Sequence, residues 1–380
     1  MQGSELDNFE PIARIVVIGV GGAGNNAVNR MIDEDLGAVE FFVANTDRQT
    51  LATSKSRNRI ILGPSVTGGL GAGGEPSVGR EAANASVEDI RKVVKGANMV
   101  FIAAGMGGGT GTGAAPVVAQ VAREEGALTV AIVTRPFTFE GKKRIANSVE
   151  GLNELKDAVD AIIIVSNDKL LMVSGTQPIS EAFAESDRVL AQSVKTVTDL
   201  ILMPAIINLD FADIRNTLKD SGISLIGFGL GQGPNRAQEA AQNAINSPLL
   251  EASINGARRA ICSVTCGPNV SLYEAQEAVD LVIEAAGNNI DVKFGVAINN
   301  QLTDQILVSV IASDFTEEFD FTSVPNYSQQ IRLQRTDGEK TNGVNGDKPK
   351  KEAKVEEAEA GEVASEDSIL PSFLKNKHIE

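Results

Sequence analysis

The chain has 380 residues, 42% of them hydrophobic, with 34 basic against 50 acidic side chains and a net charge of −16. Such a length suits two or three domains rather than one, and the negative charge argues against nucleic acid or an anionic lipid surface as a partner. A lone histidine, His378 near the C-terminus, excludes His triads, His general bases and His-rich zinc sites from the body of the protein.

Taken in chain order, an acidic, polar N-terminus without a signal peptide (residues 1–11) precedes an apolar run at 12–20 that predicts a buried strand. Helical and strand patterns then alternate: helix 23–32, strands 39–45 and 59–62, amphipathic helix 78–95, strand 99–104, helix 114–125, strand 128–133, helix 142–156 and strand 161–166. That alternation predicts a Rossmann-like parallel sheet with helices on both faces, here assigned to residues 12–178. Residues 179–202 hold a helical period without Pro or Gly, about 36 Å of helix, and Pro204 closes this central segment (179–204). A smaller α+β domain follows over 205–320, with helices at 211–219, 236–246 and 272–286 and strands at 223–229, 260–266, 292–298 and 306–312. Cys262 and Cys266, four apart, share one strand face and read as core thiols of a reducing compartment. Residues 321–366 have the composition of a disordered linker, and 367–380 carry an apolar cluster, Ile369, Leu370, Phe373 and Leu374, next to Lys375 and Lys377. No apolar stretch is long enough to span a membrane, so a cytoplasmic protein is expected.

The chemistry concentrates in glycine-rich turns. The first strand runs into Gly19-Val20-Gly21-Gly22-Ala23-Gly24-Asn25-Asn26, a G-x-G-x-x-G turn ahead of a helix, and Asp47 closes the next strand. Alone this fits a nicotinamide dinucleotide, because glycines let the backbone approach phosphate and a helix N-terminus offers unpaired N–H groups. A second turn, Gly105-Met106-Gly107-Gly108-Gly109-Thr110-Gly111-Thr112-Gly113, sits between strand and helix, and a third glycine-rich stretch covers 68–74. Two such turns at neighbouring strand ends suggest a polyphosphate held from two sides. No G-x-x-x-x-G-K-[ST] occurs, which excludes a P-loop. Backbone amides, a divalent cation and Arg144 must meet the phosphate charge instead.

The run 107–113 is similar to the signature of the tubulin/FtsZ family. The resemblance extends over 21–26, Asn45-Thr46-Asp47, 71–76, 135–144, Asn167-Asp168-Lys169-Leu170-Leu171 and Asn208-Leu209-Asp210-Phe211-Ala212-Asp213, spanning about residues 12–315. It implies a GTP- and GDP-binding, filament-forming GTPase of the bacterial division ring, with Mg²⁺ carried mainly by the nucleotide. Carried over by position, phosphate contacts fall on Gly22, Ala23, Gly24, Asn25 and Asn26 and on Gly109, Thr110 and Gly111, with Gly21, Gly108, Thr112 and Gly113 as further nucleotide-binding positions of the two turns. Ala72, Gly73 and Gly74 match the stretch near the γ-phosphate. Pro136, Glu140 and Arg144 match the ribose and phosphate neighbourhood, and Asn26 and Asn167 the nucleoside.

Phe183 and Asp187, four apart on the long helix, share a face. The ring can stack on a purine, and the carboxylate can accept from guanine N1–H and its amino group, donors that adenine lacks. Asn208, Asp210 and Asp213 lie at the start of a helix, where Asp210 can serve as N-cap and Asp213 as a first-turn acid. The resemblance makes them the loop that one subunit inserts against its neighbour's nucleotide, orienting water. Phosphoryl transfer rests on positioning and electrostatics, so two carboxylates and a cation suffice without His. The protein's first partner is then itself, head to tail. The apolar terminal peptide resembles those gripped by membrane adaptors such as FtsA or SepF, although Leu370 stands where an acid usually precedes the proline. Two alternatives stay open: a tubulin-like scaffold that binds GTP without hydrolysing it, and a dinucleotide-dependent oxidoreductase.

Overall fold

A computed structural model describes residues 13–36, 39–174, 178–202, 205–287 and 290–315; the expected linker and terminal peptide lie outside them. β1 (Ile15–Val20) passes directly into α1 (Gly21–Asp33), followed by β2 (Val39–Asn45), α2 (Arg48–Ala52), β3 (Asn58–Ile61), α3 (Pro64–Thr67), α4 (Pro76–Asn84) and α5 (Val87–Val94). Next come β4 (Met99–Gly105), α6 (Thr110–Glu124), β5 (Leu128–Arg135), α7 (Lys142–Ala158), β6 (Ala161–Ser166), α8 (Asn167–Ser174) and the long α9 (Ile179–Leu202). The remainder is α10 (Phe211–Leu218), β7 (Gly222–Gln232), α11 (Arg236–Ile245), β8 (Ala257–Cys266), α12 (Leu272–Ala286), β9 (Asp291–Ile298) and β10 (Gln305–Phe315).

The strands form one sheet in the order β3-β2-β1-β4-β5-β6-β7-β10-β8-β9. From β3 to β7 every pairing is parallel. The order reverses between β1 and β4, the switch point where open α/β sheets leave a crevice at the carboxyl ends of their strands. Both major glycine turns follow these two strands. β7 pairs with β6 only over Ala161↔Gly222, Ile162↔Ile223 and Ile163↔Ser224, then continues beside antiparallel β10. It thus hands the sheet over to the second unit.

Strand alternation sorts the core. Val17, Phe101 and Ile132 face α1 and α9, burying Val189, Val194 and Val197 of the long helix. Ile18, Ile102 and Val133 face the opposite layer with Val118, Leu152 and Ile90. In the second unit Cys262, Val264 and Val310 pack with Ala240 and Ala278. Both cysteines are free and buried, and burial pushes their thiols up to about 12 and about 11.

Two local expectations need correction. The helix expected over 78–95 is two, α4 and α5, broken where the Ser86 hydroxyl accepts from Gly63 N at 2.9 Å. The helix expected from 114 begins at Thr110, because glycine-rich backbone can be helical when another element packs tightly on it. The short α2, α3 and α8 carry too few turns for a hydrophobic period to show.

Candidate nucleotide site

β1 ends at Val20 and α1 starts on the next residue with no side-chain cap. The amides of Gly21, Gly22 and Ala23 therefore have no intrahelical acceptor. A Cβ on Gly21, whose φ is +74°, would stand 2.8 Å from Gly111 N, and one on Gly24 would stand 2.2 Å from Ala103 O. The starts of α1 and α6 therefore converge. Asn25 is buried and turned inward: in the orientation that satisfies its amide, the nitrogen donates to the carbonyls of Gly21 (2.5 Å) and Gly19 (3.1 Å). It holds the turn in shape, while Gly22, Ala23 and Asn26 are exposed.

α6 also lacks a side-chain cap. Its threonines brace the turn: Gly107 N donates to Thr112 Oγ1 at 2.8 Å, and the Thr110 and Thr46 hydroxyls lie 2.6 Å apart. Gly108 faces open space, whereas a Cβ on Gly109 would meet Ala72 Cβ and Glu75 N, each at 2.9 Å. The stretch Ala72–Gly74 thus leans on the second turn. Gly73 and Gly74 are exposed, and Glu75 pairs with Lys143 of α7. Two helix N-termini and a glycine stretch converge at the switch point, an anion-seeking arrangement.

Pro136 abuts Gly107: a Cβ there would lie 3.2 Å from Pro136 Cγ. Glu140 accepts from Phe137 N at 3.0 Å and pairs with Arg144 one turn on. Phe137 is buried, stacked on Phe139 (centroids 4.9 Å apart) and edge-on to Phe183 (5.0 Å). Phe183 itself is 41% exposed and available for stacking. Asn167 opens α8, is buried and accepts from Ser186 Oγ at 2.8 Å, which ties α8 to α9. Asp187 is partly buried and makes no hydrogen bond among the described residues. Burial pushes its carboxyl up to about 7, against the pull of Arg30 and Arg188. Arg30 sits four residues after Asn26 on α1, and its charge acts on Asp187 where α1 packs against α9.

The acids lie elsewhere. Asp210 caps α10, its Oδ1 accepting from Asp213 N at 2.7 Å, and Asn208 accepts from Ala205 N at 2.9 Å. Asn208 and Asp210 are exposed and Asp213 partly so. The helix-cap reading is thus present in the structure, and it fixes where both acids point. α9 spans the molecule: Phe183 packs beside the loop after β5, and Leu202, about 28 Å further along the helix, adjoins the segment leading to Asp210. α10 then feeds β7, whose first residue pairs with the first residue of β6. The acids and the glycine turns therefore occupy opposite ends of one molecule.

Sequence reasoning gave no role to Thr46, Phe137 or Arg30. The first two lie inside matched motifs, and Arg30 follows Asn26 at helical spacing, so spacing along α1 was the available signal.

A parallel sheet with glycine-rich helix starts at its switch point, a partly buried carboxyl beside an exposed ring and no phosphate-binding lysine motif defines a nucleotide-binding protein outside the P-loop class. The description "Tubulin/FtsZ family, GTPase domain" matches residues 14–175, and "FtsZ family, C-terminal domain" matches 222–316. Among solved structures, an FtsZ dimer from M. jannaschii is 40% identical, with 81% of this chain and 90% of that chain covered and a TM-score of 0.78. CetZ2 from Haloferax volcanii, in a GTPγS-bound protofilament, shares the fold at 20% identity and a TM-score of 0.70, covering 86% and 99% of the two chains. The chain belongs to the tubulin/FtsZ family. It is a tubulin-like cytoskeletal GTPase that binds guanine nucleotide, and the oxidoreductase alternative falls with these matches. Among the described residues no helix is long and apolar enough to cross a membrane.

Proposed function

We propose that this GTPase assembles head to tail, with GTP held by the glycine turns of one subunit and hydrolysed with the acids of the next, and that the filament scaffolds a bacterial division ring at mid-cell. One observation supports this reading: Asp210 and Asp213 start α10, which leads into β7 beside the first residue of β6, whereas the glycine turns follow the last residues of β1 and β4, at the opposite end of the parallel strands. Head-to-tail contacts that do not close produce filaments, and a neighbour's α10 start would complete each site.

Within the cradle, the free amides of α1 and α6 and the stretch Ala72–Gly74 hold the phosphates. Arg144 leaves Glu140 to meet them, Glu140 turns to the ribose, Phe183 stacks on the base and Asp187 reads guanine. Mg²⁺ would be held mainly by the nucleotide's phosphates and would supply charge neutralisation there; among the described residues there is no group of three or more acids, Cys or His that could hold a metal. Asp210 and Asp213, with Asn208 ordering their loop, orient the attacking water. Residues 367–380 recruit a membrane adaptor of the FtsA or SepF kind through Ile369, Leu370, Phe373 and Leu374, with 321–366 as tether.

The test is substitution of the acids. Asp210→Ala and Asp213→Ala should bind GTP and pellet as filaments like the wild type, yet turn over at least about a hundredfold more slowly, the scale of a lost positioning group. Wild-type turnover in both variants would remove the acids from the reaction.

A further inference from the structure

α10 has only eight residues, and its two ends do different work. The first turn presents Asp210 and Asp213. The last turn ends in carbonyls that a helix cannot satisfy internally, and these are gripped by the second unit's sheet. The Arg259 guanidinium on β8 donates to Asn216 O at 2.5 Å and to Lys219 O at 3.4 Å. Its Nε donates to Asp314 Oδ2 on β10 at 3.1 Å. Ser313 Oγ lies 3.3 Å from Thr217 O and from Arg259 O. Inside the helix Thr217 Oγ1 donates to Asp213 O at 2.9 Å, so the clamped turn is tied to the turn that bears the acid. A cation at a helix C-terminus also complements the helix dipole.

We infer that Arg259, held by Asp314, is a positioning residue for hydrolysis: it fixes the axis of α10 and so aims Asp210 and Asp213 at the neighbouring subunit's nucleotide. Ile214 and Leu218 bury one face of α10, but apolar contacts restrain tilt and slide weakly. Directional hydrogen bonds to the last carbonyls restrain both. Arg259 never touches nucleotide. It lies in the acid-donating half of the split site, so its loss lowers the turnover of the neighbour's GTP and leaves its own GTP affinity alone. Asp314 has φ +57°, a conformation that Asn shares readily with Asp, so Asp314→Asn removes the negative charge that faces the Arg259 guanidinium without straining the backbone.

The inference rests on the proposed split site, and the experiment separates the two. Phosphate release per pelleted subunit is measured for wild type, Arg259→Met, Arg259→Lys, Asp314→Asn, Asp210→Ala and Asp213→Ala over a range of GTP concentrations. Arg259→Met should lose kcat by on the order of tenfold, as a displaced catalytic group does, with KM and pelleting unchanged. Arg259→Lys, which can still donate to a carbonyl, should recover part of the loss, and Asp314→Asn should show a smaller loss of the same kind. Mixing Arg259→Met with Asp187→Ala, whose acids are intact but whose GTP binding is weak, should raise turnover above the sum of the two. Mixing it with Asp213→Ala should not, because both defects fall on the same side of the site. Should Arg259→Met fail to fold, Asp314→Asn and Arg259→Lys carry the test. Normal kcat in the Arg259 and Asp314 variants while Asp213→Ala is inactive would overturn the inference alone; wild-type turnover in both Asp213→Ala and Asp210→Ala would overturn the proposed function beneath it.

Discussion

Asp187 is the residue at which burial and the proposed recognition of guanine conflict. Its carboxyl, pushed up to about 7 by burial, is half protonated near neutral pH before nucleotide arrives. On the proposed reading, guanine's N1–H and amino group favour the charged form, so GTP binding would expel a proton. GTP affinity should therefore fall as pH drops below about 7 and level off above it, whereas Asp187→Asn should bind weakly at every pH. Direct titration of GTP binding between pH 6 and 8.5 checks this. Stability runs the other way. A carboxyl raised in the folded state imposes a cost that builds between its ordinary value of 3.8 and about 7 and is complete above that. Asp187→Asn should therefore raise the nucleotide-free thermal midpoint at pH 8, and the gain should vanish toward pH 4. The pair Phe183 and Asp187 was legible from helical spacing. Arg30 was legible only as a residue one turn after Asn26, because its effect on Asp187 depends on how α1 crosses α9.

At the scale of elements, the second glycine turn divides into glycines needed for packing and glycines needed for access. A Cβ on Gly113 would stand 1.9 Å from Pro76 O and 2.7 Å from Arg80 N, so α4 would have to move. Gly113→Ala should cost about 2 kcal/mol or more, as forced overpacking does, and melting of the purified variant measures it. Gly108 meets nothing within 4 Å. Gly108→Ala should keep a wild-type melting curve yet lose roughly tenfold in GTP affinity, the worth of a charge-assisted hydrogen bond or so. The alternation of strand and helix, and nearly every strand, could be read from hydrophobic period alone. The start of α6 could not, because glycine has low helix propensity and only the pressing of α4 and the 72–75 stretch against it makes Thr110–Gly113 helical. The break between α4 and α5 was hidden likewise, since it depends on Ser86 meeting a backbone amide far away in sequence.

Across the whole molecule, α9 separates the phosphate cradle from the acids by more than any side chain spans. The glycine turns were visible as motifs and the acids as a helix cap, but their opposition appears only once strand order places both turns at one end of the sheet and α10 beside the entrance to β7. Arg259 was invisible for the same reason: its partners come from α10 and β10, distant in sequence. On the proposed reading, a chain built this way would keep binding and hydrolysis apart until two copies meet.

The central claim is that the complete hydrolytic site belongs to two molecules. The direct measurement is the rate of phosphate release from saturating GTP and Mg²⁺ as a function of protein concentration, with sedimentation of the same samples. We expect almost no release below a threshold concentration, then a linear rise that begins where pelleting begins. A rate per molecule that is constant down to concentrations at which nothing pellets would contradict the account.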